Sequence, residues 1–268
     1  MSGLQGIVHD LDEATYHAHH ALSATGAKRL LDSPARFRWE TDNRVNKRSF
    51  DVGHAVHAKV LGVGSPVIGL DFDSYRTKAA QEARDAAYAG GLVPMLVKDM
   101  EPINAAAESV LAHPTARQLF EQDGTPETSL FATVDGVECR ARFDYFAPIN
   151  VDLKTTSGRA DVHGFAQSSF KFGYDVQQEF YGDVLEAVAG ERRPFVFVMV
   201  EMDAPFLVGV HQLDRDAAGI GRGKARRARQ VFAECTASGK WPGYPAEIQL
   251  VAPPMWAVYE AQDKGYDQ

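Results

Sequence analysis

Cysteine, long apolar runs and excess positive charge are all scarce in this sequence, and each scarcity excludes a class of protein. The chain has two cysteines, Cys139 and Cys235, which are too few and too far apart for a four-cysteine metal site or a disulfide framework. The longest apolar run, Phe195 to Val200, is far too short to cross a membrane. Residues 1–12 lack the basic and apolar regions of a signal peptide, so we expect a cytoplasmic protein without membrane contact.

The formal net charge of −8 argues against a protein that binds nucleic acid over its whole surface. It leaves room for an enzyme with a local basic channel, because acidic metal ligands and an acidic outer surface both lower the total. The composition, 45% hydrophobic and 24% charged over 268 residues, is that of an ordinary folded protein that can bury a core without staples.

Hydrophobic periodicity and capping residues predict that the first part of the chain is mainly helical. Ser23 is positioned to cap one helix, and Ser33-Pro34 to cap and begin the next. The polar, basic stretch that contains Arg44 and Lys47 predicts a loop. The predicted helices cover residues 24–31, 34–40, 50–61, 78–89 and 102–122, and the predicted loop covers residues 42–49.

Strand-like patterns dominate the second part, where Asp135-Gly136 predicts a tight hairpin turn. The predicted strands cover residues 127–134, 137–146, 150–155, 195–202 and 206–213, and the predicted helices cover residues 165–172, 174–188 and 215–237. The Pro- and aromatic-rich tail is expected to pack irregularly. We therefore predict an α/β (α+β) protein with a central mixed β-sheet flanked by helices. We interpret residues 1–268 as one domain, with residues 1–122 mainly helical and residues 123–268 forming the sheet core and C-terminal helix.

Charged residues interrupt two of the strands in a pattern that suits a metal site. In "VDLKTTSG", Asp152 and Lys154 point to the same face of the strand because side chains alternate. Asp144 lies near the end of the preceding strand. Two nearby carboxylates repel unless a cation lies between them, and their oxygens suit Mg²⁺ or Mn²⁺. Lys154 would then stabilise developing negative charge or orient a water. The alternative is an ordinary ion pair between Asp152 and Lys154 on a half-exposed strand.

Two predicted helices offer further polar groups. His57 follows Gly53 by four residues, on one helix face, and could be a nitrogen ligand to the same metal, although a lone helix histidine is often structural. Gln177 and Tyr181 are also four residues apart. They either form a satisfied buried pair or present an amide and a phenol to the metal site or to a DNA phosphate.

These residues occur in the order of the RecB-type nuclease motif of the PD-(D/E)xK superfamily, and the chain resembles the nuclease domain of RecE and related phage exonucleases. The resemblance extends over nearly the whole chain, through "YHAHHALSATGAKRLLDSPARFRWE", "DLKTT", "FGYDVQQEFYGDVL" and the C-terminal "WPGY" and "PMWA". One departure is that Arg142-Phe143, and no proline, stands just before Asp144.

The resemblance implies a PD-(D/E)xK, restriction-endonuclease-like core with Mg²⁺ as the cofactor and Mn²⁺ able to replace it. The implied metal contacts are the side chains of His57, Asp144 and Asp152 and the carbonyl of Leu153. Lys154 would be the catalytic lysine, and Gln177 and Tyr181 would support the site or the substrate.

Candidate DNA contacts are Arg140 and Arg142, which share a strand face with Asp144, and Lys28 and Arg36 in the N-terminal helices. The basic run "GRGKARRARQ", residues 221–230, is interpreted first as a solvated helix face and alternatively as a phosphate contact. The resemblance implies three partners: duplex DNA ends, a single-strand annealing recombinase, and further copies of the chain in a ring-shaped trimer or tetramer. It also implies a phage or prophage protein that acts in a bacterial cytoplasm.

Three hypotheses about function follow. The first is a Mg²⁺-dependent exonuclease that degrades the 5′ strand of linear duplex DNA and leaves 3′ overhangs for an annealing protein. The second is a non-catalytic DNA-end-binding protein on the same fold. The third is a PD-(D/E)xK endonuclease of repair or restriction, which nicking of closed circular DNA would distinguish from the first.

Overall fold

A computed structural model of the chain describes residues 3–43 and 48–266. The predicted loop residues Arg44 and Lys47 lie outside the described residues. In chain order the strands are β1 (Gly6–Val8), β2 (Leu22–Ser23), β3 (Val67–Leu70), β4 (Val93–Leu96), β5 (Thr125–Val134), β6 (Val137–Phe146), β7 (Asn150–Thr156), β8 (Phe195–Glu201) and β9 (Val208–His211). The α-helices are α1 (Glu13–Ala18), α2 (Ala24–Asp32), α3 (Pro34–Asp42), α4 (Arg48–Leu61), α5 (Lys78–Ala89), α6 (Met100–Ala112), α7 (Pro114–Phe120), α8 (Val162–Phe172), α9 (Tyr174–Ala189), α10 (Arg215–Ser238) and α11 (Met255–Asp263).

Local capping chemistry sets the boundaries of the N-terminal helices. The Ser23 hydroxyl accepts a hydrogen bond from the Gly26 amide at 3.1 Å, and the Ser33 hydroxyl accepts one from the Arg36 amide at 3.3 Å. Both predicted caps are confirmed. The prediction of one helix over residues 102–122 is wrong, because Pro114 lacks an amide hydrogen and begins a separate helix, α7, after α6 ends.

The central sheet has seven strands in the order β1-β5-β6-β7-β8-β9, with β2 paired to β6 outside this path. Asp135 and Gly136 have φ angles of 52° and 76°, so the predicted Asp-Gly turn connects β5 to β6 in an antiparallel hairpin. β7 and β8 are parallel, and α8 and α9 connect them. The sheet is therefore mixed and flanked by helices, and the predicted fold class is confirmed.

Hydrophobic clusters lie on both faces of the sheet. On one face α2, α9 and α10 pack on side chains such as Phe143 and Phe197. On the other face α4, α6 and α7 pack on Val151 and Leu153 of β7. Because β7 alternates, Asp152 and Lys154 point towards the α9 face, whereas the Leu153 side chain points towards α4 and α6. The single-domain interpretation stays a prediction.

Two regions differ from the sequence-based expectations. The stretch after α4 contains β3, which pairs in parallel with β4 in a separate two-stranded sheet. The tail is irregular only as far as Pro254, after which it forms α11. No helix within the described ranges is long and apolar enough to span a membrane.

Candidate active site

The candidate site lies where β6 and β7 stop pairing. Tyr145 pairs with Val151, whereas earlier in β6 the same edge pairs with β2 at Cys139. Asp144 stands in the interval, and its Oδ2 accepts a hydrogen bond from the Leu153 amide at 2.8 Å. This bond gives the Leu153 amide a partner where the strand pairing is absent, and it holds the Asp144 carboxylate beside β7.

Asp152 and Lys154 lie next to this carboxylate. The Lys154 amine forms an ion pair with Oδ2 of Asp152, and Gln177 of α9 donates a hydrogen bond from Nε2 to Oδ1 of Asp152. Asp152 is 1% exposed. The ion pair that the alternative expected is therefore present, but it is not on a half-exposed strand, since Asp152 is buried between the sheet and α9.

His57 reaches the same place from α4. Its Nε2 donates to the Leu153 carbonyl at 2.8 Å, and its Nδ1 lies 3.5 Å from Oδ2 of Asp144. His57 and the Leu153 carbonyl were both predicted to contact a metal, and the fold brings these two groups together.

Glu127 is a member of the site that the sequence interpretation missed. It belongs to β5, where Pro126 pairs with Tyr145 and Thr128 pairs with Phe143, so Glu127 faces Asp144 in the register of the hairpin. Like charges directly opposite each other on neighbouring strands are unfavourable. Glu127 also has a φ angle of 49°, in the left-handed region that a non-glycine residue rarely adopts. The two-residue turn at Asp135-Gly136 fixes this register. Equal steps away from the turn along the two strands reach Glu127 and Asp144, so this pairing could have been predicted from the sequence alone.

The protonation behaviour of the site reflects burial first and the closeness of its carboxylates second. Burial, followed by the nearby Asp144 carboxylate, raises the pKa of Glu127 to about 8. The same two causes raise the pKa of Asp152 to about 6, although Lys154 opposes the shift. Burial would lower the pKa of Lys154, but Asp152 and Asp144 outweigh it and the pKa rises, so the amine stays charged.

These residues fit a divalent cation. One nitrogen of His57 and carboxylate oxygens of Glu127 and Asp144 lie within 4.8 Å of one another. One imidazole and hard oxygen donors are ligands that Mg²⁺ and Mn²⁺ accept. A cation would also offset the repulsion between carboxylates that, after burial, raises the pKa values of Glu127 and Asp152. Asp152, already paired with Lys154 and Gln177, adjoins this group.

Tyr181 lies one helical turn beyond Gln177 and is not a direct part of this cluster. Its ring packs against Phe143, at 4.9 Å between centroids, and it is 9% exposed. Burial raises its pKa well above the usual value, so the phenol stays neutral. The residue supports β6 from the α9 side.

Arg140 and Arg142 point into the fold rather than towards solvent. The Arg140 guanidinium donates to the Tyr16 carbonyl, and Arg142 donates to the Ser129 hydroxyl at 2.9 Å and to the Leu11 carbonyl at 2.5 Å. Both guanidinium groups lie over the Tyr16 ring, at 4.8 and 4.3 Å. The expectation that they lie ready for phosphate is corrected here, because their donors hold the N-terminal segment against the sheet.

The other two predicted DNA contacts differ from each other. Arg36 is exposed and forms an ion pair with Asp32 at 2.5 Å and a hydrogen bond to the Tyr244 hydroxyl at 3.0 Å, so it connects α3 to the tail. Lys28 is half-buried and has no ion-pair partner within residues 3–43 and 48–266. Burial and the neighbouring Lys154 lower the pKa of Lys28 to about 8.

Three cations of the basic run of α10 form ion pairs with carboxylates of α9. Lys224 pairs with Asp175 at 2.7 Å, and Arg222 pairs with Glu179 at 2.9 Å. Arg229 is 4% exposed and pairs with Asp183 at 2.9 Å. These three cations join two helices, so the run is neither a fully solvated face nor an open phosphate site.

Comparison with known proteins agrees with this architecture. Residues 23–253 match a family described as a PDDEXK-like domain of unknown function (DUF3799). A crystal structure of a candidate exonuclease from Eubacterium rectale has a TM-score of 0.64 at 12% identity, covering 96% of this chain and 98% of that one. For a phage-related exonuclease from Haemophilus somnus 129PT, the match covers 83% of this chain and 97% of that one at 9% identity, with a TM-score of only 0.35. No curated protein is significantly similar in sequence.

Proposed function

The chain belongs to the family of PDDEXK-like domains of unknown function (DUF3799), and from this membership and its site we propose that it is a divalent-metal-dependent DNA nuclease. The superfamily expectation is thereby confirmed. The observation that carries the proposal is the cluster of Glu127, Asp144 and Asp152, three carboxyl groups beside His57, with the Lys154 amine paired to Asp152. Binding alone would not require acids grouped where DNA phosphates must approach.

The metal would be held by His57, Glu127 and Asp144, with Asp152 and the Leu153 carbonyl adjoining. When bound, it would supply charge that polarises a phosphate oxygen and lowers the pKa of a water. We propose Mg²⁺ as the physiological ion, with Mn²⁺ able to replace it, because the donors are mainly hard oxygens.

The protein's own residues have distinct tasks in phosphodiester hydrolysis. Lys154 keeps its positive charge and lies beside Asp152, where it can stabilise negative charge that grows on the phosphate oxygens as water attacks phosphorus. Gln177 holds the Asp152 carboxylate by a hydrogen bond. His57 and Asp144 fix the Leu153 backbone from both sides, which limits movement of the strand during the reaction.

The specific reaction that we propose is exonucleolytic digestion of the 5′ strand of a linear duplex, leaving 3′ overhangs. The name of the similar structure from Eubacterium rectale, which refers to an exonuclease, and the resemblance to RecE-like nucleases support this choice. The runner-up is an endonuclease of repair or restriction on the same fold, and the third candidate is a non-catalytic DNA-end-binding protein.

Linear duplexes labelled at one 5′ or one 3′ end separate these candidates. We expect Mg²⁺ to release mononucleotides progressively from the 5′ strand and EDTA to stop the release. Nicking of closed circular DNA would favour the endonuclease. If the protein binds DNA ends but does not cleave them in Mg²⁺ or Mn²⁺, the non-catalytic DNA-end-binding protein is the remaining candidate.

We also propose that the protein acts on duplex DNA ends in a bacterial cytoplasm, as a phage or prophage protein, and hands its product to a single-strand annealing recombinase. A ring-shaped trimer or tetramer belongs to the same proposal. The C-terminal segment (residues 244–266) supports assembly, since Ile248, Leu250 and Val251 are 97%, 101% and 89% exposed. A group of exposed apolar side chains of this kind is typical of an interaction site, and the occupant we propose is a second copy of the chain.

Analytical ultracentrifugation tests the assembly proposal. We expect the full chain to sediment as a trimer or tetramer and a variant with Ile248, Leu250 and Val251 changed to serine to shift towards the monomer. The variant Val162→Ser, which changes another exposed apolar residue, serves as the control. An unchanged mass in the triple variant would contradict the role of the segment.

A further inference from the structure

An exposed aromatic side chain lies at the mouth of the candidate site. Phe172 ends α8 and is 52% exposed. Phe165 and Ser169, which precede it by seven and three residues on the same helical stripe, are buried. The stripe that packs α8 onto the protein therefore continues to a ring that is left more than half uncovered.

Aromatic contacts connect this ring to the catalytic lysine. The Phe172 ring lies 6.1 Å from the ring of Tyr174, and Lys154 Nζ lies 5.1 Å from the centre of that same Tyr174 ring. Tyr174 is 8% exposed, so it forms the wall between the buried amine and the exposed phenylalanine. Phe172 is thus separated from the reacting centre by a single side chain.

One amine lies against the exposed ring, and a second lysine side chain passes beside the next residue, Gly173. Lys171 Nζ lies 5.3 Å from the centre of the Phe172 ring. The Lys28 side chain crosses Gly173, where an added Cβ would lie 2.6 Å from Lys28 Cδ. Within residues 3–43 and 48–266, neither Lys28 nor Lys171 pairs with a carboxylate. Lys224, which lies over Phe170 at 5.4 Å, differs because Asp175 neutralises it.

An exposed aromatic face beside uncompensated amines matches the chemistry of a single nucleic-acid strand. Bases stack on aromatic rings without regard to sequence, while amines attract the phosphates on either side. A base inside an intact duplex has both faces covered by its neighbours, so its face is available to a protein ring only after unpairing.

We propose that Phe172, with Lys171 against its ring and Lys28 beside the adjoining Gly173, stacks on an unpaired nucleobase of the strand that enters the site, so that the protein recognises a frayed or single-stranded end. This inference rests on the proposed nuclease function and adds to it the state of the substrate next to the cleaved bond.

Binding in EDTA tests the stacking without any cleavage. The probe is a fluorescent duplex with an unpaired 5′ tail, compared with the blunt duplex of the same sequence. Phe172→Ala should bind the tailed probe roughly 5- to 150-fold more weakly, the range for losing one base–aromatic stack. Phe172→Trp should bind like the wild type. Trp39→Ala, which removes an exposed aromatic of α3, is the matched control and should change nothing.

An abasic scan locates the base. Replacing one tail nucleotide at a time by an abasic site should weaken wild-type binding at one position and leave Phe172→Ala indifferent to that position. Salt provides a second signature: Lys171→Ala should reduce the slope of log affinity against log salt by about 0.7, whereas Phe172→Ala should leave the slope unchanged.

Equal affinity of Phe172→Ala and wild type for the tailed probe would overturn the inference. So would a changed sedimentation mass of Phe172→Ala without a DNA effect, since the ring would then serve contact between protein chains. The two proposals fail separately: a chain that never cleaves but shows the abasic signature contradicts the nuclease proposal alone. A chain that cleaves in Mg²⁺ without the signature contradicts the stacking inference alone.

Discussion

Two acid-rich regions adjoin α9, and they differ in how completely cations neutralise their buried carboxylates. In the ion-pair ladder between α9 and α10, each acid is matched to a cation. The pairs are Asp175 with Lys224 at 2.7 Å, Glu179 with Arg222 at 2.9 Å, and Asp183 with Arg229 at 2.9 Å. In the candidate site, Lys154 pairs with Asp152 and Arg142 lies 3.9 Å from Glu127, so three acids (Glu127, Asp144 and Asp152) face two permanent cations and the His57 imidazole.

The difference indicates two roles for buried charge: paired charges stabilise the fold, whereas incompletely paired carboxylates can bind a cation. A buried ion pair that is complete holds two helices in register and requires nothing from solution. An incomplete cluster either keeps protons, as the raised pKa values of Glu127 and Asp152 indicate, or takes up a cation. The expected effects of mutation therefore divide: changes in the ladder should affect stability, and changes in the site should affect metal binding and catalysis.

The largest expected effect is that of Asp144→Asn or Asp152→Asn on cleavage. Asparagine keeps an oxygen that can accept the Leu153 amide or the Gln177 amide but removes the charge a cation needs. Single-turnover cleavage in Mg²⁺ should fall by about 10³-fold or more, near the upper range for losing one electrostatic group. The melting temperature of Asp144→Asn in EDTA should be unchanged or higher, because carboxylate repulsion is relieved, whereas Asp152→Asn should melt lower, because Lys154 loses its partner.

Thermal melts with Mn²⁺ provide the control for that prediction. A ligand that binds only the folded state stabilises it by about 2.7 kcal/mol at one hundred times its Kd. The wild type should show this shift and the two Asn variants should not. Full activity in either variant would remove Asp144 and Asp152 from the site.

The second effect concerns Lys154, the amine of the candidate site. Lys154→Ala should slow cleavage by roughly 10²-fold, because its charge acts on the transition state more than on bound DNA. Lys154→Arg should fail as well, since a planar guanidinium cannot replace a compact amine. DNA affinity in Ca²⁺ should change little. Weaker binding with normal cleavage at saturating DNA would indicate a simple phosphate contact instead.

The third effect is the converse test in the ladder. Arg229→Ala leaves Asp183 buried without its α10 partner, although Arg192 remains beside it. We expect the free energy of unfolding to fall by about 3 kcal/mol, the lower end for breaking a buried pair, measured as a shift of the urea midpoint without a change in m. Cleavage per folded molecule and the Mn²⁺ shift should stay as in the wild type. A loss of either would show that ladder and site are one unit.

Sequence reasoning predicted much of the candidate cluster that the fold brings together, because its signals are local. The alternation of "VDLK" placed Asp152 and Lys154 together, and the Asp-Gly turn fixed the hairpin that carries Asp144. The same turn also fixed Glu127 opposite Asp144, a consequence that the strand pattern alone did not reveal. Pro114 likewise carried a local signal, the missing amide, that breaks the predicted long helix.

Other features depend on contacts that no local pattern encodes. Arg140 and Arg142 share a strand face with Asp144, yet they point at Tyr16, which belongs to a distant helix. The basic run of α10 looked solvent-facing because its acidic partners lie in α9, far away in sequence. The parallel pairing of β3 with β4 joins two four-residue strands across α5 and leaves no periodicity to read.

The fourth effect distinguishes a ligand from a core residue at His57. His57→Ala should preserve α4, since alanine is the better helix former, and should weaken Mn²⁺ affinity by roughly 10- to 100-fold. Cleavage should be slow at limiting Mn²⁺ and recover partly at saturation. Loss of stability in EDTA with normal metal dependence would instead assign His57 to packing, like the ladder residues.

The smallest effect contrasts an unpaired amine with a paired one. Lys28 has a pKa lowered to about 8 by burial and by Lys154, whereas Lys224 of the ladder is paired with Asp175. An amine is charged below its pKa, so raising the pH from 7 to 9 should remove the Lys28 charge in free protein. If Lys28 holds a phosphate, DNA affinity in Ca²⁺ should then fall by at most about tenfold, since one proton is lost.

Loss of the Lys28 charge at high pH should affect folding and DNA binding in opposite directions: it should weaken binding but stabilise the fold. A folded pKa below the unfolded value of 10.5 means that the charged amine penalises folding at pH values under about 8, and the penalty is relieved as the pH rises towards 10.5. Lys28→Arg stays charged throughout, so its DNA affinity should be flat over the same range. Saturating Ca²⁺ keeps Glu127 ionised in both proteins, so that its own titration near pH 8 cancels in the comparison. Equal slopes of affinity against pH for Lys28→Arg and wild type would show that Lys28 does not touch DNA, and that its uncompensated charge is a feature of packing alone.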